Sequence, residues 1–209
     1  MEVVFGTSNP AKVDDIRKLI HNPDITLKTL ADINVAAPDI EENGKTFEEN
    51  ALIKYDSLRP LIPEQMLLVT EDSGIEIDSL NGEPGVYARR WNPESRELSD
   101  EEIVEKTLRL MKDKKDRTAR FVSAFALGDT SIKRQTLRGE LVGEILTEPD
   151  SKGMIAGFPY RALFYIPQLG KMLYEVHDIP LQQRNNVATH REKAWMKLEE
   201  IINEHSHNT

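Results

Sequence analysis

Apolar residues along this chain come in short clusters whose spacing switches between a strand period and a helix period. Val3-Val4-Phe5-Gly6 is a strand-like run ending in glycine, and Thr7-Ser8-Asn9-Pro10 follows, with Asn9 suited to cap a helix and Pro10 to its first turn. Val13, Ile16, Leu19 and Ile20 then make one helical stripe that stops near Asn22-Pro23, and residues 25–30 predict a second strand. Thr46-Phe47-Glu48-Glu49 has capping-box spacing and opens a helix with a face of Phe47, Ala51, Tyr55 and Leu58, ending before Pro60. Residues 66–70 predict a central buried strand, Glu71-Asp72-Ser73-Gly74 a polar turn, and Ile75-Glu76-Ile77 a further strand.

Ser99 with Glu102 has the spacing of a second capping box, leading a helix that carries Ile103, Thr107 and Met111. Residues 120–127 and 137–146 read as strands pairing antiparallel around Gly128-Asp129, the second placing Leu137, Gly139, Leu141, Gly143 and Ile145 on one face. Thr189-His190-Arg191-Glu192 is a third capping-box spacing, with Ala194, Leu198, Ile201 and Ile202 as the stripe of a last helix that frays beyond Asn203. Alternating strands and helices predict an α/β fold. With no internal repeat and no Gly/Ser linker, residues 1–209 are expected to form a single domain, the loop at 148–153 being the nearest thing to a boundary.

Composition narrows the function classes. The 209 residues are 39% apolar, enough for a substantial core, and carry 27 basic against 36 acidic side chains, a net charge of -9. That is the wrong sign for holding long nucleic acid by counterion release, although a local cationic pocket is compatible with it. There is no cysteine, hence no disulfide and no thiolate metal site; no apolar run reaches membrane-spanning length, and no basic signal segment precedes Val3. A cytoplasmic protein without membrane or nucleic-acid partners is expected.

Two places concentrate polar chemistry. Thr7, Ser8, Asn9 and Lys12 stand at a helix N-terminus after a strand, where backbone N–H groups and the helix dipole favour phosphate. This is not a Walker loop, and for an isolated Ser-Asn-Pro the plainer account, a capped helix with a solvated lysine, has precedence. Glu71 and Asp72 follow a buried-looking strand, where open α/β sheets hold ligands, and are the hard oxygen donors that Mg²⁺ takes; an acidic surface turn is the equal alternative. Glu41 or Glu42 can bring another carboxylate to the same cation, while Asn50 and Lys54 share a helix face within reach of phosphate oxygens. Phe158, Tyr160 and Phe164, near glycines, offer a ring for stacking a base or simply a packed strand. His190 and Arg191 open the last helix, where an imidazole and a guanidinium can grip a base or phosphate, or serve structure alone. His21, His177, His205 and His207 have no spacing that assigns them a role.

Together these motifs resemble the RdgB-type inosine/xanthosine triphosphate pyrophosphatases. Residues 7–12 are similar to that family's Thr/Ser-x-Asn-x-x-Lys loop, residues 46–51 to the opening of its second helix, and Glu71-Asp72-Ser73-Gly74 to its acidic turn. Residues 81–90 are similar to its Gly-x-Pro-Gly-Val-Tyr segment and Thr189-His190-Arg191 to its closing Ser-His-Arg, so the likeness runs nearly end to end. The resemblance implies a two-lobed α/β fold around a long mixed twisted sheet, usually homodimeric, with the nucleotide in a cleft between lobes. It also implies magnesium-assisted attack of water on the phosphate nearest the sugar, releasing pyrophosphate and a monophosphate from deaminated purine nucleoside triphosphates (ITP, dITP, XTP). By that resemblance Asp72 is metal ligand and general base, Glu42 a second metal ligand, Ser73 a substrate contact, and Thr7, Ser8, Asn9, Lys12 and Lys54 hold phosphates, with Phe158, Tyr160, His190 and Arg191 completing the substrate site.

Two departures from the family pattern fall on the base pocket. The family's Gly-Phe-Gly-Tyr-Asp-Pro stands here as Gly157-Phe158-Pro159-Tyr160-Arg161-Ala162, and the lysine five residues before the closing histidine is Asn185, beside Arg184. Asparagine presents a carbonyl or an amide and need not reject an amino-purine, whereas the Arg161 guanidinium can donate to O6 and N7 of a purine together. The alternatives are thus the same hydrolysis on another nucleotide, a nucleotide-binding protein with weak catalysis, and, least in keeping with the charge, a nucleic-acid-binding module.

Overall fold

The computed structural model describes residues 1–91, 96–176 and 179–206, without the side chain of Ser206; His177 and His207 lie outside the described residues. The chain forms an eight-stranded mixed sheet flanked by helices, as the alternating periods predict. In chain order the elements are β1 (Glu2–Phe5), α1 (Pro10–Arg17), β2 (Thr26–Thr29), α2 (Phe47–Leu58), β3 (Leu67–Ile77), β4 (Pro84–Gly85), α3 (Asp100–Leu110), β5 (Thr118–Gly128), β6 (Gln135–Ile145), β7 (Phe164–Ile166), β8 (Lys171–Met172) and α4 (His190–Ser206). Short 3-10 turns join several of them. The sheet order is β2-β1-β3-β5-β6-β7-β8, with β4 on β3. β1 runs parallel to both β2 and β3, while β4 pairs antiparallel with β3, and β7 antiparallel with β6 and β8.

One expectation is overturned. Residues 71–74 form no turn; β3 continues through them as a single strand of 11 residues. The reason lies in its neighbour. β1 ends at Phe5, opposite Val69, and the Gly6 N–H donates to the Val69 carbonyl (2.8 Å), so β3 extends beyond the end of β1 and carries its acidic residues past it. The last helix also runs further than expected, to Ser206, where the His205 ring lies 2.7 Å from the Ser131 carbonyl.

The chain divides into two compact units. The first comprises residues 1–73, 123–139 and 190–209, the second residues 74–122 and 140–189. In the first unit β3 alternates faces. Leu67 and Val69 join Val3, Phe5, Phe125, Leu127 and the apolar stripes of α1 and α4 (Val13, Ile16, Trp195, Leu198), whereas Leu68 joins Val4, Ala126 and α2 (Ala51, Tyr55, Leu58). Gly139 on β6 lets α4 come close: a Cβ there would stand 2.0 Å from the His190 carbonyl oxygen and 2.6 Å from the Ala194 nitrogen. The second unit has its own core of Ile75, Ile77, Ile103, Leu141, Ile145, Tyr160, Leu163 and Phe164.

Candidate active site

The alternation of β3 separates its two carboxylates. Glu71 continues the Leu67–Val69 row toward α1 and α4; Asp72 continues the Leu68–Thr70 row toward α2. Each becomes the centre of a polar cluster within the first unit.

Glu71 is buried, and its environment is ionic. Its Oε1 accepts from Arg191 Nε (3.0 Å) and Ser123 Oγ (2.6 Å), and its Oε2 lies 3.5 Å from Lys12 Nζ. Arg191 reaches on to Asp15 Oδ2 with Nη1 (2.6 Å). Burial pushes the Glu71 carboxyl up, but Arg191, Lys12 and the Ser123 hydroxyl outweigh it and hold the group at about 2. Lys12 is shifted down, first by burial and further by the charges of Lys54 and Arg191, with Glu71 opposing. Arg191 is shifted up, because Glu71 and Asp15 more than offset its desolvation. Glu71 and Arg191 are therefore charged at neutral pH.

Asp72 is presented to α2. Asn50 Nδ2 donates to its Oδ2 (2.9 Å) and Lys54 Nζ to its Oδ1 (3.4 Å). The same ammonium donates to the Glu71 backbone carbonyl (3.1 Å) and pairs with Glu42 Oε2 (2.7 Å), so its three N–H donors face three acceptors. Asn50 in turn accepts from the Gly44 N–H (2.8 Å), which fixes the loop bearing Glu42; a Cβ on Gly44 would stand 2.6 Å from that amide oxygen. Glu42 and Asp72 therefore meet at one ammonium. Mg²⁺ usually takes one or two carboxylates and completes its shell with water and substrate phosphate, so this donor set fits it. Among the described residues no group of three or more His, Cys, Asp or Glu is gathered to hold a metal.

The loop after β1 has the expected form. Asn9 caps α1, its Oδ1 accepting from the Ala11 N–H (3.0 Å), and its own N–H donates to Thr7 Oγ1 (3.1 Å). Thr7 is half-buried, Ser8 and Asn9 are exposed, and Ser73 falls by alternation in the Glu71 row. Thr46 caps α2 through the Glu49 N–H (3.1 Å), although Glu49 reaches back to the Lys45 N–H (2.6 Å) rather than closing the box on Thr46. His190 and Arg191, both buried, begin α4.

Phe158, Tyr160, Arg161 and Asn185 belong to the second unit. Arg161 stacks on Phe158, its guanidinium carbon 3.9 Å from the ring centroid. Tyr160 is buried, its hydroxyl donating to the Ala88 carbonyl (3.1 Å), and burial pushes its pKa up. Phe164 is a core residue, edge-on to Phe121 at 4.8 Å. Asn185 is exposed with φ of 49°, a left-handed conformation that asparagine tolerates, at the end of a turn whose Arg184 is buried and donates to the carbonyls of Ile179 (2.7 Å) and Val187 (3.0 Å).

A family model described as the Ham1 family matches residues 3–201, nearly the whole chain and every one of these positions. This protein belongs to the Ham1 family. Among its Ham1 relatives, a protein of Staphylococcus epidermidis named dITP/XTP pyrophosphatase is 31% identical over 208 residues, covering 99% of this chain and 98% of its own length. A Bacillus subtilis protein of the same name is 32% identical over 203 residues, 96% of each chain. The solved structure of the Ham1 protein of Staphylococcus aureus superposes with a TM-score of 0.77 at 28% identity, covering 97% of this chain and 98% of that one. A HAM1 protein from Coxiella burnetii gives 0.75 at 30% identity, with 98% and 99% covered.

Ser123 and Asp15 are the members of these clusters that sequence reading missed. Asn50, which the sequence places within reach of phosphate oxygens, donates to Asp72. Asp15 carried a signal, standing one helical turn after Lys12, but Ser123 sits in an apolar strand with nothing in its sequence neighbourhood to mark it.

Proposed function

We propose that this protein hydrolyses deaminated purine nucleoside triphosphates, inosine and xanthosine triphosphates and their deoxy forms, to the monophosphate and pyrophosphate. The observation that carries the reading is the meeting of Glu42, Lys54 and Asp72 beside the capped α1 loop, in a chain whose relatives bear the name dITP/XTP pyrophosphatase. Thr7, Ser8, Asn9, Lys12 and Lys54 hold the triphosphate, supplying hydroxyl, backbone and ammonium donors to its oxygens. Lys54 exchanges one of its carboxylate contacts for phosphate as substrate binds.

Asp72 is the general base. Asn50 and Lys54 fix its carboxylate, which takes a proton from the attacking water as the new bond to the α-phosphorus forms. The bond from that phosphorus to the α–β bridging oxygen breaks, and pyrophosphate leaves with the electron pair. Glu42 and Asp72 are the residues that would hold Mg²⁺, which when bound neutralises phosphate charge. Ser73, His190 and Arg191 contact the substrate, and Phe158, Tyr160, Arg161 and Asn185 set the base, Tyr160 by supporting its neighbours from the core. The protein acts as a cytoplasmic homodimer that clears damaged nucleotides.

A second reading, the same hydrolysis with widened base selection, is favoured by the exposed Asn185 and by Arg161 stacked on Phe158. Pyrophosphate release with Mg²⁺, measured over inosine, xanthosine, adenosine, guanosine and pyrimidine triphosphates, separates the two. Selective release from the deaminated purines supports the first; comparable release from adenosine or guanosine triphosphate supports the second. Release from none overturns both.

A further inference from the structure

The segment carrying Phe158 and Arg161 is tied to residues 88–100 at two points, besides its own backbone bonds to Ile155 and Asp150. At one end the Gly157 N–H donates to Asp100 Oδ2 (2.6 Å); in the middle Tyr160 donates its hydroxyl to the Ala88 carbonyl (3.1 Å). Both anchors refer to a single turn, because the other oxygen of Asp100 accepts from Arg89 Nη1 (2.6 Å) and Arg89 follows Ala88 directly. Asp100 is the first residue of α3, held by a full capping box between Ser99 and Glu102, and its side chain is only 19% exposed. Gly157 has φ of +81° and open space where a Cβ would stand, and its N–H is held by the carboxylate of Asp100.

We propose that Asp100 is a positioning residue for base selection: by clamping Gly157 against Arg89 it sets the place of the Phe158–Arg161 platform without touching substrate. This rests on the reading that Phe158 and Arg161 meet the base. A carboxylate serves here because it has two oxygens and must satisfy a backbone N–H and a guanidinium at once, and charge-assisted bonds of this kind are the short, strong ones. Its site at the start of a helix also favours a negative charge, which a test has to separate from the clamp.

The experiment compares Asp100→Ala, Asp100→Asn and Glu101→Ala. Glu101 supplies charge to the same helical turn, where its carboxylate accepts from the Ser99 hydroxyl (3.0 Å). Steady-state hydrolysis of inosine and adenosine triphosphates is measured with Mg²⁺, with inorganic tripolyphosphate as a competing probe that has phosphates and no base. Asp100→Ala is expected to raise KM for inosine triphosphate about tenfold and to narrow discrimination against adenosine triphosphate, with kcat and tripolyphosphate inhibition unchanged, the signature of lost uniform binding. Asp100→Asn keeps an acceptor for Gly157 and recovers most of the loss, Glu101→Ala changes neither KM nor discrimination, and Asp100→Ala adds nothing in a Phe158→Ala background.

Unchanged KM and base preference in Asp100→Ala, in an enzyme that does release pyrophosphate, would overturn the clamp alone. So would an equal loss of tripolyphosphate inhibition, which would make the effect general unfolding. Absence of release from every triphosphate by the unaltered protein removes the proposed function and this inference with it.

Discussion

Asp72 receives a hydrogen bond on each oxygen, from Asn50 and from Lys54, so an amide in its place turns one donor toward another. Asp72→Asn is expected to lower kcat by roughly 10²–10⁴ with the fold intact, measured as pyrophosphate release beside a circular dichroism spectrum. Its neighbour should behave in the opposite manner. Glu71→Gln takes the buried carboxylate from Lys12 and leaves Arg191 with Asp15 alone, and a loss of about 3–5 kcal/mol is expected in urea denaturation at neutral pH. The pH dependence has a definite sign. Glu71 titrates at about 2 in the fold against an ordinary 4.5, so its contribution is complete above pH 4.5 and is lost as pH falls from there toward 2. On the order of 3 kcal/mol should disappear over that window, and the Gln variant should lack this component. Most of these residues were legible as a set, because Asn9, Lys12, Asp72 and Arg191 stand in recognisable motifs. Their division of labour was not: nothing in the pair Glu71-Asp72 says which acid is neutralised inside and which faces α2 until the strand's alternation is known.

At the scale of elements the sequence was read well where periodicity was long and poorly where polarity stood in for geometry. The stripes of α2, α3 and α4 and the alternation of β6 hold nearly to the residue. Glu71-Asp72-Ser73-Gly74 reads as a turn because turn residues are polar, yet the same polarity arises when a central strand outruns its neighbour and is met by charged partners from α1, α2 and α4. The docking of α4 on β6 provides a test. Gly139→Val places atoms where the His190 carbonyl and the Ala194 nitrogen now stand, backbone that cannot rotate aside. A cost of about 1–3 kcal/mol is expected, together with a fall in kcat/KM as His190 and Arg191 shift, read by thermal unfolding and initial rates. Gly143→Val, whose clash is with Tyr165 and Phe164 in the second unit, should cost similar stability and leave Arg191 in place.

For the whole molecule, the three strands of 11 residues matter most, since β3, β5 and β6 each contribute residues to both compact units. Neither unit can lose its part of the sheet without breaking a strand of the other. Heat should therefore unfold the chain in one transition, with calorimetric and van't Hoff enthalpies in a ratio near one; two resolved transitions would assign the units separate stabilities. Composition and alternation foretold an α/β protein at this scale. They did not foretell the split into two units, which depends on long-range pairing that no local pattern encodes.

Because Asp72, the general base of the proposed reaction, is borne mid-strand, this protein has little freedom in the number of residues it places there. A loop accepts an added or missing residue by bulging, whereas here, with β3 in register with β1 up to Val69, a single insertion between Val69 and Glu71 would turn Asp72 toward α1 and Glu71 toward α2, exchanging the proposed base and the buried counter-ion. Substitution can tune this site; changes of length can only break it.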